Sequence, residues 1–209
     1  MRTIRYGSFE TNSSSTHAIV IPKEVDEENY SLYDSLDHDY GFGRGESRLV
    51  NDWDEKLAYA YMVIKDFYNR ADEDNSINEN IQKFKDTINN IYNELQNPFS
   101  VKPNDVFESI EKEERLEGFM TFNDGWYRPY VDHSYELCET DFIERLLNDY
   151  DFTKRFIFNT ESYITIGGDE YRGFNIKTIG FEYDYKNSKE FWNKLEEYKK
   201  DNDVYLKGN

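Results

Sequence analysis

The longest periodic pattern in this chain is an apolar seam formed by Ile77, Ile81, Phe84, Ile88, Ile91 and Leu95, at steps of 4, 3, 4, 3 and 4. Alternating steps of three and four place all six side chains on one stripe of an α-helix, and a strand cannot do this. Ser76 and Glu79 have the spacing of a capping box at the start, and Asn97-Pro98 supplies the stop. Just upstream, Trp53, Leu57, Ala60, Ile64 and Phe67 make a second apolar face after the capping pair Asp52 and Glu55. Ala71 to Asn75 interrupts the two. The pattern predicts an antiparallel helical hairpin over about 52–96, because so short a joint leaves the two faces little choice but each other.

Strands are expected on either side of this hairpin. Ala18-Ile19-Val20-Ile21, ended by Pro22, is a short β-branched run of the kind buried on both faces of a sheet. Arg2 to Tyr6 alternates weakly. Phe119 to Asn123 and Trp126 to Val131 flank Asp124-Gly125, a hairpin signal. Phe156 to Phe158, Tyr163 to Ile166 and Phe174 to Tyr185 read as further strands, with Val204 to Leu206 as an edge strand. Further helices are expected over Asn104 to Leu116, from a Thr140 cap through Leu147, and after Ser188. Helices and strands thus interleave without regular βαβ alternation, which predicts an α+β fold: one domain over 1–209, with a mixed or antiparallel sheet covered by helices.

The chemically dense stretch is Thr11-Asn12-Ser13-Ser14-Ser15-Thr16-His17, immediately before the first buried strand. One reading is a loop whose hydroxyls and amide bond to nearby backbone. The other is a site, since an imidazole at the mouth of a strand can titrate near neutrality beside groups able to hold an anion. Val131-Asp132-His133-Ser134 repeats a carboxylate, an imidazole and a hydroxyl in sequence, and Ser162 to Asp169 reads as a strand closing on Gly167-Gly168. The enzymatic reading brings His17 and His133 to one cavity as general acid and base for phosphodiester cleavage. Asp132 would orient an imidazole, and Asn12, Ser13, Ser14, Ser15 and Asp169 would hold the substrate. Arg2 and Arg5 suit an anionic substrate.

No spacing of the HxH, HExxH or paired-cysteine type indicates a metal, and no cofactor is expected. Gly41-Phe42-Gly43-Arg44-Gly45 lacks the Lys-Ser/Thr ending of a phosphate loop. His38, between two aspartates, reads as solvated. Cys138 reads as a small core residue; as the lone cysteine it excludes an internal disulfide framework. With no signal peptide and no membrane-length apolar run, a cytoplasmic location is expected.

Charge points elsewhere. Against 43 Asp and Glu stand 25 Lys and Arg, for a net −18. Such a chain repels nucleic acid, so direct DNA binding is disfavoured, yet its exterior can imitate a phosphate field and occupy a basic groove. Disorder is not the explanation, since 17% of residues are aromatic. Glu111, Glu113, Glu114 and Glu117 form the densest acidic run; it is either a solvated helix face or a phosphate-mimicking ridge.

The three polar blocks, above all Phe9 to His17, resemble a set of bacteriophage and mobile-element proteins of Gram-positive bacteria whose N-termini read much like this one. The resemblance implies a mobile-element context, in which small acidic proteins often interfere with host defence, and it supplies no mechanism. Together with the charge it makes inhibition of a host defence nuclease or ribonucleoprotein complex, of the anti-CRISPR type, the first functional expectation. Cleavage of nucleic acid or nucleotides through His17 and His133 is the second.

Overall fold

The structure is a computed structural model. It describes residues 16–25, 30, 40–42, 48–70, 74–95, 101–117, 130–131, 137, 141–167, 175–181 and 188–207, without the side chains of 70, 74–77, 113–117, 130 and 181. Within them the fold is α+β. Four antiparallel strands form the main sheet in the order β3 (Arg48–Val50), β5 (Tyr163–Gly167), β1 (Thr16–Pro22), β8 (Asn202–Lys207). Two small pairs accompany it: β2 (Gly41–Phe42) parallel to β4 (Tyr130–Val131), and β6 (Asn175–Ile176) antiparallel to β7 (Gly180–Phe181).

The β-branched run is the centre of the sheet, as its composition predicts. Thr16 to Ile21 are all buried because both faces of β1 are covered. Ile19 and Ile21 point with Ile164, Ile166, Val50 and Tyr205 into the larger core, beneath the helices. Ala18, Val20 and Tyr163 point the other way, onto Ile176 and onto Phe191 and Leu195 of α6 (Lys189–Tyr198). Ser188 caps α6, its Oγ accepting from the Phe191 amide at 3.1 Å.

Helix α1 (Trp53–Arg70) is the hub of the larger core. Every residue from Trp53 to Ile64 is buried, enclosed by α2 (Asp74–Glu94), α3 (Pro103–Glu117), α5 (Tyr150–Phe158) and β4. The expected hairpin forms through its predicted faces: Ile64, Phe84, Ile88 and Ile91 are fully buried, with Phe67, Ile81 and Leu95 packed at the margin.

Three expectations change or fall elsewhere. Phe156 to Phe158 is the end of α5 and not a strand; Asp149 Oδ1 caps the helix by accepting from the Phe152 amide at 3.0 Å, and Phe152 and Phe156 share a helical face in the core. The single strand expected over Phe174 to Tyr185 is two short ones, turned before Gly180, whose φ of 90° is easy only for glycine. The helix expected from a Thr140 cap is α4 (Phe142–Asn148), with Asp141 at its N-cap position. Thr140, the strand expected over Arg2 to Tyr6 and the Asp124-Gly125 hairpin lie outside the described residues. No helix among the described residues is long and apolar enough to cross a membrane.

Candidate functional site

Strand register assembles a polar row near one end of the sheet. His17 on β1 pairs with Ile166 on β5 and with Lys207 on β8, and Ile166 pairs in turn with Arg48 on β3. Directly opposed residues share a face of a sheet, so Arg48, His17 and Lys207 all look toward α1. Glu55 and Tyr59, one helical turn apart on α1, look back at them.

The contacts join these five side chains. His17 Nδ1 lies 2.9 Å from the Tyr59 hydroxyl, and Lys207 Nζ lies 3.3 Å from Nδ1 and 3.4 Å from Nε2 of the same ring. Arg48 pairs with Glu55 at 3.2 Å, donates to the Gly41 carbonyl at 2.9 Å and stands 4.9 Å over the Phe42 ring. Phe42 meets Tyr59 edge-on at 5.2 Å, which closes the circuit. His17 is 0% exposed, Lys207 1% and Tyr59 0%. Polar groups so enclosed are retained only where they satisfy one another. Chemically the cluster is rich in donors, with an imidazole able to accept on one nitrogen and donate on the other.

His17 was expected at the mouth of a cleft; it is instead enclosed in the second position of the central strand. Asn12, Ser13, Ser14, Ser15, Asp132, His133 and Asp169 lie outside the described residues, as do His38 and Cys138. The residues adjoining those polar blocks are described, and they converge. Ser15 leads directly into Thr16, which pairs with Gly167, two positions before Asp169. Asp132 follows Val131, which pairs on β4 with Phe42, the ring against Tyr59.

Glu111 lies on α3, at the helical hairpin. It accepts from Tyr61 at 2.5 Å and Lys85 at 2.7 Å. Burial pushes its carboxyl up, but those two hydrogen bonds and the Lys85 and Lys65 charges outweigh it and hold the group below its ordinary range. Its charge is thus neutralised within the fold. Glu113, Glu114 and Glu117 continue α3, with side chains outside the described ones. Among the described residues no three of His, Cys, Asp and Glu are grouped to hold a metal ion.

Tyr59, Lys207, Arg48 and Glu55 were not singled out by sequence. Tyr59 reads as one more apolar residue of a helix, and Glu55 as a cap. The available signal was Asp54-Glu55-Lys56, three ionisable residues inside a run that is otherwise a buried helix. No family model, curated protein or solved structure matches the chain.

Proposed function

We propose that this protein binds and blocks a host nuclease or ribonucleoprotein complex directed at nucleic acid, in the service of a phage or other mobile element. Its carboxylates would occupy a groove built for phosphates. The observation that carries this reading is the uneven neutralisation of the exterior. On α6, Glu190, Glu196 and Glu197 each pair with a lysine one turn on, at 2.7, 3.0 and 2.5 Å. On α2, α4 and α5 and at the α4 N-cap, Glu79, Asp86, Glu94, Asp141, Glu144 and Asp151 are exposed. Lys83 on α2 donates to Asn148, and Arg145 on α4 is shared between Asp149 and Asp203. The exposed carboxylates of the α2–α4–α5 side are the ones this reading assigns to the groove, and the neutralised Glu111 is not among them.

A second reading, cleavage of a phosphodiester through His17 and His133, is favoured by the convergence of Thr16, Gly167 and Val131 on the His17–Tyr59 contact. The enclosure of His17 weighs against it. One experiment separates the two: inhibition of an RNA-guided DNA-cutting complex by His17→Gln and by the fourfold variant Glu94→Gln, Asp141→Asn, Glu144→Gln, Asp151→Asn, each first checked for native circular dichroism. Binding through charge predicts that the fourfold variant loses inhibition and salt dependence while His17→Gln retains both. Loss with His17→Gln alone, accompanied by shortened guide RNA, replaces the first reading by the second.

A further inference from the structure

Lys56 is a lysine enclosed in the core, away from the polar row. It sits in the first turns of α1 with 1% of its surface exposed. Its Nζ donates to the Asn159 carbonyl at 2.6 Å and to the Ser162 carbonyl at 3.0 Å. Asn159 is the C-cap of α5 and Ser162 immediately precedes β5, so one side chain fastens the hub helix to the corner between the two.

Both acceptors are uncharged. A neutral amine carries two N–H groups, which match the two carbonyls; an ammonium adds a third proton and a full charge that neither carbonyl neutralises. The charged groups around it do not change this balance. Asp52, just ahead of α1, attracts the ammonium, and Lys177, from the turn between β6 and β7, repels it. Of its helix neighbours, Glu55 is engaged by Arg48. From α5, Lys154 faces the Tyr30 ring and Arg155 bonds to Pro22 and Lys23, while Glu161 in the corner is exposed.

We propose that Lys56 is a pH-responsive tie: neutral, it locks α1 to the α5–β5 corner, and charged, it loosens the helix that also carries Glu55 and Tyr59. Burial, opposed by Asp52 and reinforced by Lys177, brings its titration down from 10.5 to about 7. The unfolded chain holds the Lys56 proton up to its ordinary range, whereas the folded protein releases it above about 7. Unfolding therefore takes up a proton between those limits, so stability rises with pH across the window, falls as pH drops from 10.5 toward about 7, and levels off below it, where both states hold the proton.

The test is equilibrium urea unfolding of the full chain from pH 6.5 to 9.5, for wild type and Lys56→Met. Methionine keeps the length of the side chain and removes its charge. One proton taken up on unfolding makes the wild-type unfolding constant fall about tenfold per pH unit above pH 7.5, a slope absent from Lys56→Met. As a second readout that needs no variant to fold, the 13Cε resonance of Lys56 in 13C-lysine-labelled protein should titrate near neutrality. Parallel pH slopes in the two proteins, or a Lys56 resonance that stays in its charged position to pH 9, would overturn the proposal.

Discussion

Replacing Tyr59 by phenylalanine isolates the contact at the heart of the polar row. The substitution keeps the ring that meets Phe42 edge-on at 5.2 Å and deletes the hydroxyl 2.9 Å from His17 Nδ1. Both partners are 0% exposed, so water cannot replace the lost bond. His17 Nδ1 keeps Lys207 Nζ at 3.3 Å, so the substitution removes one buried hydrogen bond, worth about 0.5–1.5 kcal/mol. For a domain of this length each kcal/mol lowers the melting temperature by about 2–4 °C, which gives an expected fall of about 1–6 °C. Thermal unfolding followed by circular dichroism at 222 nm reads it directly, and a double-mutant cycle with His17→Gln apportions the part that belongs to the pair. A Tyr59→Phe protein that melts with wild type, or a cycle showing no coupling, would mean that His17 and Tyr59 do not hold each other, and the row would have to be dismantled as a unit.

Other outcomes follow from the same structure. Phe84→Ala opens the buried seam of the helical hairpin and should cost about 3–5 kcal/mol in urea unfolding, whereas a loss below 1 kcal/mol would show that α2 does not pack there. Asp149→Ala removes the α5 cap and should cost about 1 kcal/mol, with amide exchange accelerated first at Phe152. Glu111 stabilises the fold above its ordinary carboxyl range, and this contribution is lost as pH falls through its lowered native value. Glu111→Gln should therefore show a flatter acid limb of stability below the ordinary carboxyl range, and an unchanged limb would place Lys85 and Tyr61 elsewhere.

What could be read from sequence was what a single element decides. The seam from Ile81 to Leu95 and the run from Ala18 to Ile21 each state their periodicity and burial locally, and the α+β class follows from their mixture. Phe156-Ile157-Phe158 defeated that approach because three apolar residues satisfy either period, and the deciding Asp149 cap lies seven positions earlier. The polar row was illegible for a different reason. Tyr59 and Lys207 are 42 and 190 positions from His17, and neither residue type is unusual in its own element. The sequence drew attention to His17 for the polar residues that precede it, but whether such an imidazole opens to solvent or closes on a neighbour depends on strand register, which no local pattern contains.

The order of the main sheet has a consequence for how the chain is made. The central strand β1 is among the first described segments to be synthesised, yet its neighbours β5 and β8 follow some 140 and 180 residues later. During translation Ala18 to Ile21 must wait, an apolar strand with two open edges, while the helical hairpin, built from near neighbours, can already close. At about 5–20 residues per second the wait is on the order of ten seconds or more, long enough for a chaperone or a second nascent chain to find the strand first.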